Sequence, residues 1–168
     1  MSTIFCCLIN KIHKYFIYIF VINLFVVSSA LFIEYILKVK PCALCIYQRY
    51  PYYLILLLSA LFFLKNNWKY SLMILMTLTS IVGFFLAGYH VGIEYGVIDE
   101  LSSCKTEISK NISKDILLKE LQSKLAPSCK QVDFKLFGMS LALINMIMSL
   151  IFAILYYKMF SWIKKTSK

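Results

Sequence analysis

Long apolar runs alternate with short polar breaks along this 168-residue chain. The first run, roughly Tyr15–Leu37, is long enough to cross a hydrocarbon layer about 30 Å thick. A second begins at Cys42 or Ile46 and ends at Leu64, a third covers Tyr70–Tyr89, and a fourth covers Leu136–Phe160. Helices are therefore expected over about 15–37, 46–64, 70–89 and 136–160. Lys38–Pro41 joins the first two, and Pro41 suits a first helical turn, where its missing N–H costs nothing. Pro51 lies inside the second run and predicts a kink or an irregular first turn. Lys65-Asn66-Asn67-Trp68-Lys69 reads as a tight polar turn with an interfacial Trp. Gly83 and Gly88 allow close helix contact along the third run.

One long polar stretch remains, 91–134. Within it Ile112, Ile116, Leu117, Leu121 and Leu125 recur at helical spacing, and Pro127 follows. This predicts a short amphipathic helix, lying on the membrane surface or packed on its own loop. The pattern as a whole predicts an all-α membrane protein. Its architecture is a four-transmembrane-helix bundle with a long extracytoplasmic loop, in one domain spanning 1–168.

Composition agrees, since the chain is 61% hydrophobic with a mean hydropathy of +0.76, above the half-apolar share of ordinary globular domains. The net charge of +10 does not make a nucleic-acid face. Segment 91–135 holds seven Lys and seven acids, so it is neutral, and the surplus sits at the termini and around Lys65 and Lys69. Such placement is membrane-flanking, and no basic stripe interleaved with aromatics runs through a polar domain. The first run has a basic lead and a small-residue Ser28-Ser29-Ala30 site, as a signal peptide would. A retained helix is preferred, because the apolar run continues through Leu31–Leu37. Four spans put both termini on one side. Charge density favours that side as cytoplasmic, and the cysteines favour it more strongly, because Cys42, Cys45, Cys104 and Cys129 then all face an oxidising space.

The chemistry concentrates in Lys40-Pro41-Cys42-Ala43-Leu44-Cys45-Ile46-Tyr47-Gln48-Arg49. A Cys-x-x-Cys at a helix start has its thiolate stabilised by helix N-terminal N–H groups. Arg49 stands four residues after Cys45, on the same helix face. An Arg beside a membrane span is either a snorkelling anchor or functional, and next to two cysteines the functional reading is favoured. It could hold a thiolate or the oxygen of a redox cofactor. Cys104 and Cys129 lie 25 positions apart in the polar loop. As a disulfide they would contribute roughly 3–4 kcal/mol in the chain-entropy model. A structural staple, or a four-Cys zinc site built from both pairs, is the alternative. His90, one turn before Glu94, reads equally as a satisfied interfacial residue or as part of a cofactor pocket. Cys6 and Cys7 read as reduced bystanders or acylation sites.

Pro41-Cys42-Ala43-Leu44-Cys45-Ile46-Tyr47-Gln48-Arg49 resembles the signature of the DsbB family of bacterial inner-membrane proteins. Ala87-Gly88-Tyr89-His90-Val91-Gly92-Ile93-Glu94-Tyr95-Gly96 resembles the stretch after the third span in one branch of that family. Ser128-Cys129, Phe137-Gly138-Met139-Ser140-Leu141-Ala142 and Asn145 resemble its entry to the fourth. The resemblance implies disulfide bond formation by a membrane thiol:quinone oxidoreductase. It implies a DsbA-like periplasmic thiol oxidase as partner, attacking a Cys104–Cys129 disulfide, with electrons passed to Cys42–Cys45. The acceptor would be a quinone (ubiquinone or menaquinone) drawn from the membrane lipid, with Arg49 and His90 in its pocket. The competing functions are a quinone reductase of vitamin K epoxide reductase type, which usually carries its Cys-x-x-Cys late in the chain, and a non-enzymatic metal-binding membrane scaffold. No nucleic acid is expected.

Overall fold

The computed structural model describes residues 2–64, 68–99, 129–130, 135–136 and 138–166. Helix α1 runs Ser2–Tyr35, α2 Ala43–Tyr47, α3 Arg49–Leu64 and α4 Lys69–Glu94; the strands β1 (Lys135–Leu136) and β2 (Met139–Ser140) precede α5, Leu141–Thr166. Among the described residues, three stretches are long and apolar enough to cross a membrane: Lys14–Tyr35, Lys69–Glu94 and Leu141–Lys165. At most 39% of any of their apolar windows is buried inside the protein. The remaining apolar surface, including Tyr18, Phe25, Leu57 and Phe85, faces outward, as a lipid-solvated protein requires.

The second predicted span is divided at Gln48. Pro51 has no N–H to offer the Tyr47 carbonyl, so the α-helical ladder breaks there. The 16 residues of α3 are fewer than a helix needs to cross alone. The other boundaries shift for local reasons. Helix α4 continues five residues past Tyr89 and ends in a Schellman cap. The Val97 N–H donates to the Gly92 carbonyl and the Gly96 N–H to the Ile93 carbonyl, with Gly96 at φ 72°. The fourth helix starts at Leu141, later than expected, because Met139–Ser140 just before it pairs antiparallel with Lys135–Leu136. Ser140 Oγ then caps it by accepting from the Leu143 N–H at 3.2 Å. Lys164 and Lys165 suit its last turn and carry it past Phe160.

Helices α3, α4 and α5 enclose the main core with the middle of α1. Phe16, Ile55, Met73, Met76, Phe152 and Tyr156 are all nearly or fully buried there. The Phe16 and Phe62 rings stack at 4.2 Å. A Cβ on Gly83 would lie 3.2 Å from Ser149 Oγ and 3.4 Å from the Pro51 side chain, so glycine lets α4 approach both neighbours. Tyr15 meets Trp162, and Tyr70 meets Phe160. These contacts gather the start of the first span, the start of α4 and the end of α5 at one end of the bundle. Cys42, His90, Cys129 and the beginning of α5 lie at the other. The proposed amphipathic helix of the polar loop, Cys104, and the side chains of Cys6 and Cys7 lie outside the described residues.

Candidate functional site: a buried dithiol beside a histidine

A second, smaller cluster of buried residues comprises Cys42, Leu44, Ile93 and Cys129. Cys42 is the N-cap of α2, and its sulfur accepts from the Cys45 N–H at 3.2 Å. Both thiols are free, with the sulfurs 2.8 Å apart. The neighbouring Cys45 thiol holds the Cys42 thiol well below its usual pKa, with His90 adding to the effect against the opposing cost of burial. Cys42 is thus favoured as the sulfur that ionises.

His90 is buried on the last turns of α4. Its Nε2 lies 3.7 Å from Cys42 Sγ and 3.8 Å from Glu94 Oε1. Its Nδ1 lies 2.9 Å from Gln48 Nε2, and Asn145 Nδ2 donates to Gln48 Oε1 at 2.6 Å. The Tyr52 hydroxyl continues the network to Asn145 Oδ1, and lies 3.1 Å from Ser149 Oγ. Cys129 is buried and disulfide-bonded. Its partner is neither Cys42 nor Cys45, since both are free. One sulfur from each of Cys42 and Cys129 and a ring nitrogen of His90 lie within 4.8 Å of one another. Because Cys129 is in a disulfide, its sulfur is not a thiolate ligand, so the trio does not make a metal centre in this state.

A cavity of about 420 Å³ opens beside the dithiol, within the range that holds a small organic ligand. Its wall is chiefly apolar, from Ile22, Phe25, Val26 and Met148, and its polar end carries Cys42, Cys45, Arg49, His90, Glu34 and Glu94. Arg49 pairs with Glu34 of α1, both side chains being mostly buried. The structure thus brings Cys42, Cys45, Arg49 and His90 to one pocket, with Cys129 beside Cys42.

Glu34, Gln48 and Asn145 escaped functional assignment from sequence. Glu34 had a usable signal: it is an acid inside an expected span, and no other acid lies outside 91–135. Gln48 and Asn145 stand among the residues that carry the family resemblance, but a polar amide near a helix end is ordinary and neither was given a role.

The fold and the site describe a membrane protein with a buried pair of free cysteines, Cys42 and Cys45, beside a third, Cys129, that is held in a disulfide. Residues 13–159 match the family of the disulfide bond formation protein DsbB, and the chain belongs to that family. It is 33% identical to the SPbeta prophage-derived disulfide bond formation protein B of Bacillus subtilis, over 79% of this chain and 87% of that one. It is 29% identical to disulfide bond formation protein B 1 of Pseudomonas entomophila, over 74% and 71% of the two chains. An uncharacterized protein of Rickettsia prowazekii is 29% identical over 77% of this chain and 76% of its own. No solved structure matches the chain. Disulfide bond formation is therefore its function at the level of the family.

Proposed function

We propose that the protein reoxidises a DsbA-type thiol oxidase in the periplasm and passes the electrons to a membrane quinone. The observation that carries this reading is the meeting of Cys42, His90 and Cys129 within 4.8 Å at the polar end of an apolar cavity. A partner thiolate attacks Cys104 of a Cys104–Cys129 disulfide, forming a mixed disulfide and releasing Cys129 as thiolate. The partner's second thiolate resolves it, leaving the partner oxidised and Cys104 reduced. Cys129 attacks Cys42 of the oxidised Cys42–Cys45 pair and displaces Cys45; Cys104 closes on Cys129 and releases Cys42. The dithiol that results is the state of Cys42 and Cys45 in this structure.

The residues present fit a quinone. The cavity wall suits a flat apolar ring and its tail, and Arg49 would supply donors for a ring oxygen, with His90 beside it. When bound there, a quinone would supply the two-electron, two-proton acceptor that lets Cys42 and Cys45 reform their disulfide. Cys45 surrenders its thiol proton, and His90 and Glu94 are placed to relay another. Arg49, fixed by Glu34, offers a permanent charge at the pocket.

We read the whole chain as one integral membrane domain of the inner membrane, with α2 and α3 together as its fourth span. The separation of the two ends of the bundle supports cytoplasmic termini and periplasmic redox cysteines. Turnover tests the reading. Purified protein given a reduced thioredoxin-like oxidase and ubiquinone-1 should form one quinol per partner disulfide, and menaquinone analogues then rank the acceptors. Unchanged rates in Cys42→Ala or Cys129→Ala would sink it.

A further inference from the structure

The hydrogen bonds behind His90 form one unbroken chain through three helices. Ser149 Oγ lies 3.1 Å from the Tyr52 hydroxyl, and that hydroxyl meets Asn145 Oδ1. Asn145 Nδ2 lies 2.6 Å from Gln48 Oε1, and Gln48 Nε2 lies 2.9 Å from His90 Nδ1. Gln48, His90 and Ser149 are all at least 95% buried. Gln48 is buried and Asn145 half-buried; two amides joined in series favour one sense of donation, because if one turns over, the bond between them is kept only if the other follows.

The far end of the imidazole selects the sense. Nε2 faces two acceptors, the Cys42 sulfur at 3.7 Å and Glu94 Oε1 at 3.8 Å. The backbone of Cys129 also hydrogen-bonds the ring. A lone pair on Nε2 would point at a thiolate and a carboxylate, so that nitrogen carries the proton. In the neutral ring Nδ1 must then accept, Gln48 Nε2 must donate to it, and Gln48 Oε1 must be satisfied by Asn145 Nδ2. That leaves Asn145 Oδ1 to accept from Tyr52.

We propose that Gln48 and Asn145 are positioning residues that hold His90 in the tautomer with its proton on Nε2, aimed at the Cys42 sulfur. Asn145 touches neither the ring nor the sulfur, yet it sets the direction of the amide that does. The bland alternative is polar packing between helices, in which the amides are satisfied but either tautomer serves equally. This inference rests on Cys42 as the reactive thiol of the proposed function. Its test needs neither quinone nor partner, so it fails or holds apart from turnover.

The chain has two histidines, so His13→Gln leaves His90 as the single imidazole. The full-length, reduced protein in detergent is labelled with 15N-histidine. Its nitrogen shifts, read where the ring is neutral, report which nitrogen holds the proton. Nε2 protonation is expected, and Nδ1 protonation overturns the proposal whatever the variants do. Asn145→Asp presents only acceptors, so Gln48 must turn its NH₂ toward Asp and its oxygen toward His90. The neutral ring is then expected to carry its proton on Nδ1. The pH midpoint of Cys42 alkylation, followed by peptide mapping, should rise by about one unit, the worth of one hydrogen bond to an anion. Gln48→Leu should raise it similarly. An Nε2 proton retained in Asn145→Asp means charge repulsion without the relay, and overturns the proposal.

Discussion

Removing Cys45 tests the division of labour within the dithiol. Cys42 Sγ has three donors around it: the Cys45 thiol at 2.8 Å, the Cys45 N–H at 3.2 Å and His90 Nε2 at 3.7 Å. Cys45→Ala deletes the nearest and keeps the other two, since alanine retains the N–H and suits the helix. A hydrogen bond to a charged group contributes about 1.5–3 kcal/mol, and a pKa unit corresponds to about 1.4 kcal/mol. The Cys42 pKa should therefore rise by roughly one to two units. The sign follows from the chemistry: the lost donor favours the thiolate, so the thiol form persists to higher pH. Pulse alkylation of the reduced protein across a pH series, with Cys42 quantified by peptide mapping, reads the midpoint. In the wild type thiolate reactivity should persist below neutral pH and fall only as pH drops through the depressed pKa. His90→Leu should move the midpoint less, because its donor is farther away. An unmoved midpoint in Cys45→Ala would refute the Cys45 thiol as a stabiliser of the Cys42 thiolate, and a larger shift in His90→Leu would make His90 the principal one.

Three further outcomes follow from the packing and the pocket. Arg49→Met strands the Glu34 carboxylate beside the cavity. With both side chains partly exposed, the loss of stability should be about 1–2 kcal/mol, below that of a fully buried pair, while the KM for quinone rises, as steady-state kinetics would record. Gly92→Ala places a Cβ 2.6 Å from Ile98 Cδ1, so denaturation in detergent should show a loss of about 1 kcal/mol or more that Ile98→Ala relieves. Phe152→Ala, at a side chain 1% exposed, should cost about 3–5 kcal/mol in the same denaturation series, with Cys42 alkylation of the folded protein unchanged.

The membrane class and three of the four expected spans were legible because lipid imposes one rule along a whole run: about 20 apolar residues to a crossing. The interruption at Gln48 was partly legible, since Pro51 announced an irregular turn without giving its place. The helix ends were less so. The start of α5 depends on the pairing of Met139–Ser140 with Lys135–Leu136, and the end of α4 on a cap at Gly96, both of which reside in a few backbone hydrogen bonds. For the site, the Cys-x-x-Cys and Arg49 stand out by residue type alone. His90 was left between two readings because burial decides it, and burial comes from helix packing. Glu34, Gln48 and Asn145 take their meaning from a neighbour on another helix, 15, 42 and 97 positions away in sequence respectively. Local pattern does not encode such pairings.

The central claim is that two cysteine pairs pass electrons in series, and cysteine connectivity tests it most directly. The purified protein is oxidised with excess quinone, its free thiols are blocked, and its linked peptides are mapped by mass spectrometry. The account predicts Cys42–Cys45 and Cys104–Cys129 peptides, with Cys42 and Cys45 returning as free thiols after the reduced partner is added without quinone. Cys42 and Cys45 remaining as free thiols after quinone treatment, or bound to stoichiometric zinc, would contradict it.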